Sequence, residues 1–119
     1  MPDSRYVPRD YALEPLHFGS IRKQVQWRED VSLAVDLDRL RAARAQHRFA
    51  FRIRTAIRAS SFETTKDFTE WNGLNYARFS RMLRGEIVMR LEDVATAERL
   101  LPGVFAVPAS TTSAFVENY

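Results

Sequence analysis

At 119 residues with 45% hydrophobic content, the chain can bury one modest core and hardly two, so one domain with appendages is expected. Its 18 basic and 15 acidic residues leave a formal charge of +3, and the basic ones are nearly all arginine, the side chain suited to forked contacts with phosphate and base edges. The lack of cysteine excludes disulfides and thiolate chemistry and fits a reducing cytoplasm; no apolar run approaches the roughly 18 to 20 residues that span a bilayer, so no membrane partner is expected.

The N-terminal stretch "MPDSRYVPRDYALEP" lacks a basic start followed by an apolar run, which argues against a secretion leader. Pro2, Pro8, Pro15 and Gly19 are too closely spaced for a long helix, so residues 1 to 35 begin as loop. Farther on, Val25 with Trp27, and Val31 with Leu33, Val35 and Leu37, alternate at a period of two around the turn-like "RED". That pattern suits a short hairpin. A helix would equally group Val31, Ala34 and Val35, and both readings stay open. Tyr6, Tyr11, Leu13, Leu16, Phe18, Val25 and Trp27 form either a docking strip or the second half of the core, with core the simpler expectation.

From Asp36 or Asp38, either able to cap, the Ala and Arg content of "RLRAARAQ" favours helix, with Leu37, Leu40 and Ala43 along one face. The helix is predicted to run on through Ala50, Ile53 and Ile57, although "RFAFRIRT" also alternates as an exposed strand would. Residues 39 to 58 carry seven arginines and no acid, whereas residues 86 to 98 set Glu86, Glu92, Asp93 and Glu98 against Arg90 alone. The basic block reads as a solvated helix face or as a face for an acidic partner.

"ASSFETT" ends that helix, and Thr64, with Asp67 three positions on, caps a short second one, "TKDFTEW". Asn72-Gly73 supplies residues that tolerate the left-handed conformation at a helix end. Asn75 caps a third helix, in which Phe79, Met82 and Leu83 face inward while Tyr76, Ala77, Ser80, Arg81 and Arg84 point partly or wholly outward. Gly85 ends it. A fourth helix, "RLEDVATAERLLPG", carries Leu91, Val94, Ala95, Leu100 and Leu101 as its apolar residues and stops at Pro102-Gly103. Phe68, Phe79, Met82 and Leu91 are expected in the core.

The run "TTKDFTEWNGLNYARFSRMLRGEIVMRLEDVATAERLL" resembles the lambda-repressor-like, or Cro-type, helix-turn-helix proteins. The likeness rests on Thr64, Phe68, Thr69 and Gly73 in helix two, and on Leu74, Asn75, Phe79, Ser80-Arg81 and Arg84-Gly85 around helix three. It covers about residues 50 to 103. Thr69 stands where the family usually has alanine, Asn72 where it has an apolar residue, and Arg54 where the apolar partner of Ile57 is expected. The resemblance implies a mainly α helix-turn-helix bundle at residues 36–105, preceded by an N-terminal extension, 1–35, and followed by a C-terminal tail, 106–119.

It further implies sequence-specific binding of double-stranded DNA by a cytoplasmic, bacterial or phage-encoded transcriptional regulator of repressor type. Base contact would fall to Tyr76, Ala77, Ser80 and Arg81, and phosphate contact to Thr65, Lys66, Arg78 and Arg84. One recognition helix reads only about four or five base pairs, so a homodimer is expected, with Leu37, Leu40 and Ala43, the possible hairpin before them, and Phe105, Val107, Phe115 and Val116 as candidate interfaces. The rival is an antitoxin or anti-repressor on the same fold, whose N-terminal segment wraps a protein partner.

Enzyme readings find little support. His17 and His47 are far apart, no cysteine joins them on a metal, no glycine-rich loop follows a strand, Ser60-Ser61 has no evident base, and Glu92 and Asp93 point apart on a helix. No catalytic residue, metal or cofactor is expected, and His47 reads as a surface residue or one more phosphate contact.

Overall fold

Ala, Leu and Arg dominate residues 34 to 59, and they form one uninterrupted helix, α1 (Ala34–Ala59). In the computed structural model, which describes residues 6–106, three shorter helices follow: α2 (Thr65–Trp71), α3 (Tyr76–Leu83) and α4 (Leu91–Leu100). Along α1 the buried residues are Ala43, Gln46, Ala50, Ile53 and Ile57, spaced three and four apart as one helix face requires. The alternation in "RFAFRIRT" is therefore incidental: Ile53 is inside and Phe51 exposed, on the same helix. Neither Asp36 nor Asp38 caps it. Leu33 is the N-cap without a side-chain bond, and Asp36 accepts a 3.1 Å hydrogen bond from the Tyr11 hydroxyl instead.

The expected hairpin is absent among the described residues. Before α1 the chain forms two 3-10 turns, Pro8–Tyr11 and Pro15–His17, and a single antiparallel bridge, Ala12 with Trp27. Leu13 N–H donates to Gln26 C=O and Arg28 N–H to Tyr11 C=O, both at 2.9 Å. The ladder stops there because the facing segment is bracketed by Pro8 and Pro15, which set 3-10 geometry and remove donors.

This N-terminal strap shares its core with the helices. Phe18 is buried among Ala50, Ile53, Ile57, Phe68, Phe79, Met82 and Leu83, and Trp27 packs edge-on against it with ring centroids 6.2 Å apart. Gly19, at φ +72°, passes so near the Leu83 carbonyl that a β-carbon would collide with it. Of the seven aromatic and apolar residues in the docking-strip reading, Tyr11 and Phe18 are buried and Tyr6, Val25 and Trp27 are half-buried, leaving Leu13 and Leu16 exposed.

Gln46 is buried at the centre of the bundle. Its Nε2 donates to the carbonyls of Met82 and Ile87 and its Oε1 accepts from the Met89 amide, all at 2.9 Å. One buried side chain thereby fixes the chain between α3 and α4 to α1. On α4 Ala97 is buried in the core, whereas Leu91, expected inside, is 84% exposed at the first position of the helix. Beyond it, Phe105 packs on Phe49 at 4.9 Å, and Arg52 Nη1 donates to the carbonyls of Val104 and Ala106. The tail beyond Ala106, including Val107, Phe115 and Val116, lies outside the described residues.

Candidate nucleic-acid interface

Two short capped helices joined by four residues are positioned by purely local chemistry. Thr64 Oγ1 accepts from the Asp67 amide at 3.2 Å to start α2, and Asn75 Oδ1 accepts from the Arg78 amide at 3.0 Å to start α3. At the end of α2, Gly73 at φ +69° lets the Leu74 amide donate to Thr69 C=O and its own amide donate to Glu70 C=O, a Schellman closure. Gly85 repeats it for α3, with Glu86 N–H on Arg81 C=O and its own N–H on Met82 C=O. The two polar departures in α2 are satisfied within the helix: Thr69, fully buried, donates to Lys66 C=O at 2.9 Å, and Asn72 Nδ2 donates to Phe68 C=O at 2.8 Å.

The inner face of α3 seats Phe79, Met82 and Leu83 in the core, with Phe79 and Phe68 ring centroids 5.9 Å apart. Tyr76, Ala77 and Arg81 are exposed on the opposite face. The Arg81 side chain forms no hydrogen bond or ion pair with any described residue, and Trp71, at the end of α2, is 79% exposed. Ser80 departs from expectation. It is only 8% exposed, and its Oγ accepts a 2.7 Å bond from Arg84 Nη1, so it faces back along the helix rather than outward.

Of the four residues expected on phosphate, two are already engaged inside the protein. Arg78 makes a forked pair with Asp93 at 2.8 and 2.9 Å, tying α3 to α4, and Asp93 also accepts from the Arg90 amide at 2.8 Å. Burial would raise the Asp93 pKa, but Arg78, the Arg90 amide and their charges outweigh it and hold the carboxyl below the usual carboxylate range. Arg84 bonds Glu86 through Nε at 2.7 Å as well as Ser80, and Arg9 stands 3.7 Å from the same Glu86 carboxylate. Lys66 is exposed with no partner among the described residues, and Thr65 is half-buried beside Arg84.

Two residues acquire roles that their local sequence does not announce. His47 is no surface histidine: Nδ1 accepts the Gly19 amide at 2.8 Å, and its ring packs edge-on to Phe18 and Trp27, each at 5.6 Å. Burial, then the Arg48 charge, pushes its pKa down to about 4. Arg54, one residue past buried Ile53, has its Nε buried without an acceptor among the described residues. Its pKa is lowered by burial and then by Arg84, against a smaller opposing influence of Tyr76. The one sequence signal for Arg54 is its place where the family resemblance expects an apolar side chain.

No described helix is long and apolar enough to cross a membrane, and no group of three or more His, Cys, Asp or Glu among the described residues is arranged to hold a metal ion. No protein-family model, curated protein or solved structure matches the chain.

Proposed function

We propose that the protein binds double-stranded DNA in a sequence-specific manner, inserting α3 into the major groove as a repressor-type regulator of transcription. The observation that carries this reading is the two-faced α3: its apolar side is locked in the core, while Tyr76, Ala77 and Arg81 stand exposed on the other, their side chains without a hydrogen bond or ion pair among the described residues. Arg81 offers two donors to guanine, the Ala77 methyl suits the thymine methyl, and Tyr76, at the start of the helix, reaches either a base or a phosphate. Ser80 leaves the base-reading set and braces Arg84 instead. Lys66 and Thr65 at the start of α2, with Arg84 beyond α3, hold the backbone and set register.

A homodimer fits this function, since one such helix selects too few base pairs to mark a genomic site. The antitoxin or anti-repressor reading keeps only Leu13 and Leu16 as an exposed apolar strip, because the remaining residues of that strip are buried or half-buried. Gel-shift titration against a random-sequence duplex at two salt concentrations tests the proposal, followed by selection of preferred sites. Binding in the nanomolar to micromolar range that falls steeply with salt is expected, because arginine and lysine displace condensed counterions. Absence of binding to any duplex, or a flat salt response, sinks the proposal.

A further inference from the structure

A cavity of about 400 Å³ opens between the strap and the C-terminal half of α1, and four arginines, Arg22, Arg54, Arg58 and Arg84, line it together with Thr65. One carboxylate, Glu63, faces them. Arg84 is already paired with Glu86, whereas the side chains of Arg22, Arg54 and Arg58 make no hydrogen bond or ion pair with any described residue. Arg54 lines the cavity, and its Nε is buried without an acceptor among the described residues. Taking a guanidinium out of water beside other guanidiniums, with its Nε–H unanswered, is costly unless an anion supplies both charge and acceptors. A chain that needed only packing there would place an apolar residue next to Ile53, as it does at Ile57 one turn on.

We propose that this cavity binds a phosphate-type oxyanion, with Arg54 as its inner donor, Arg22 and Arg58 as flanking cations and the Thr65 hydroxyl as a further donor. Two or three unesterified oxygens on one small group can answer forked donors from several arginines at once, which a chloride cannot. The volume admits a phosphate with a small ester substituent. Two sources carry that chemistry: a backbone phosphate of bound duplex, in which case the site rests on the DNA-binding reading, or a free phosphorylated small molecule, in which case it stands without it.

The test follows the arginine Nε–H resonances of the full chain by NMR during titration with inorganic phosphate, against sodium chloride at equal ionic strength, and then with a duplex. Saturable movement of the Arg54 signal by phosphate and not by chloride is expected, and at ten times the midpoint concentration the folded-to-unfolded ratio should rise about 11-fold. Arg54→Met should keep the fold, since methionine fills irregular space, and should lose that phosphate-dependent stabilisation. Arg58→Ala, at an exposed position, keeps the Arg54 signal observable and should weaken phosphate several-fold.

If bound duplex competes with inorganic phosphate for the Arg54 signal, the DNA backbone is the source; saturation by phosphate without competition assigns a free phosphate. Phosphate binding with no duplex binding leaves the site intact and removes the DNA reading. An Arg54 resonance that neither phosphate nor duplex moves, or phosphate stabilisation that survives in Arg54→Met, overturns the proposal.

Discussion

The ring of Phe18 occupies the space that a side chain on Gly85 would need: a β-carbon there would lie 2.6 Å from the ring's Cδ1. Gly85 also sits at φ +74°, the conformation that closes α3. The strap and the end of α3 are thus fitted to each other. Gly85→Ala combines backbone strain with a clash and should cost about 3 kcal/mol or more. Phe18→Ala empties the same contact and should cost about 3 to 5 kcal/mol. Urea denaturation measures both; a loss under about 1 kcal/mol in either variant would mean that the strap is an appendage rather than a wall of the core.

Gln46→Leu is close in volume but leaves the Met89 amide and the Ile87 carbonyl without their Gln46 partner, while the Met82 carbonyl keeps the Gly85 amide. The expected cost is about 3 kcal/mol, since unanswered buried polar groups are more damaging than a lost bond is worth. Amide exchange at Met89 should accelerate alongside the drop in stability. Unchanged exchange there would separate the 82–89 connection from Gln46.

The buried joint at His47 has a pH signature. Its Nδ1 accepts the Gly19 amide, so the native state needs neutral imidazole, and its pKa of about 4 lies below the roughly 6.5 of an unfolded histidine. Between these values the unfolded chain binds more protons than the folded one, so stability falls as pH drops from about 6.5 toward 4 and levels off below. After discounting for partial exposure, the loss is about 2 kcal/mol. Asp93 and Glu86, whose pKa values are held down by their arginine partners, lose their contributions only at lower pH, as it falls through the carboxylate range. Melting between pH 7 and 5 therefore isolates His47: His47→Gln, which keeps an acceptor, should flatten the slope there. An equal slope in that variant would place the titration elsewhere.

What could be read from sequence was what short-range chemistry decides. Thr64, Asn75, Gly73 and Gly85 act within four residues of themselves, and the ends of α2 and α3 fall where those residues require. The three- and four-residue spacing of Ala50, Ile53 and Ile57 likewise carries its own period. Other features depend on partners far along the chain. Arg78 looks solvent-bound until Asp93, fifteen residues on, arrives with α4, and Val25 and Trp27 look strand-like until their neighbour proves to be a 3-10 turn. Helix phase points Ser80 outward, yet Arg84, one turn on, engages its hydroxyl. His47 and Arg54 were hidden for the same reason: the strap that buries them is distant in sequence.

A separation between phosphate-holding and base-reading cations is expected on α2 and α3. Lys66→Ala removes an exposed charge with no partner among the described residues, so it should weaken all duplexes by a similar factor and lower the salt slope by about one unit. Arg84→Ala is a less clean probe of phosphate contact, because it also releases Glu86 and Ser80.

The most direct test of α3 as the reader is the discrimination of Arg81→Ala between a selected site and random duplex, measured after melting curves show the variant folded. An exposed, unpartnered side chain should cost under about 0.5 kcal/mol of stability. Loss of about 1 to 3 kcal/mol on the selected site with little change on random duplex is the expected result, since one forked base contact disappears. Unchanged discrimination by the folded variant would contradict the assignment of Tyr76–Leu83 as the recognition helix and move attention to the arginines of α1.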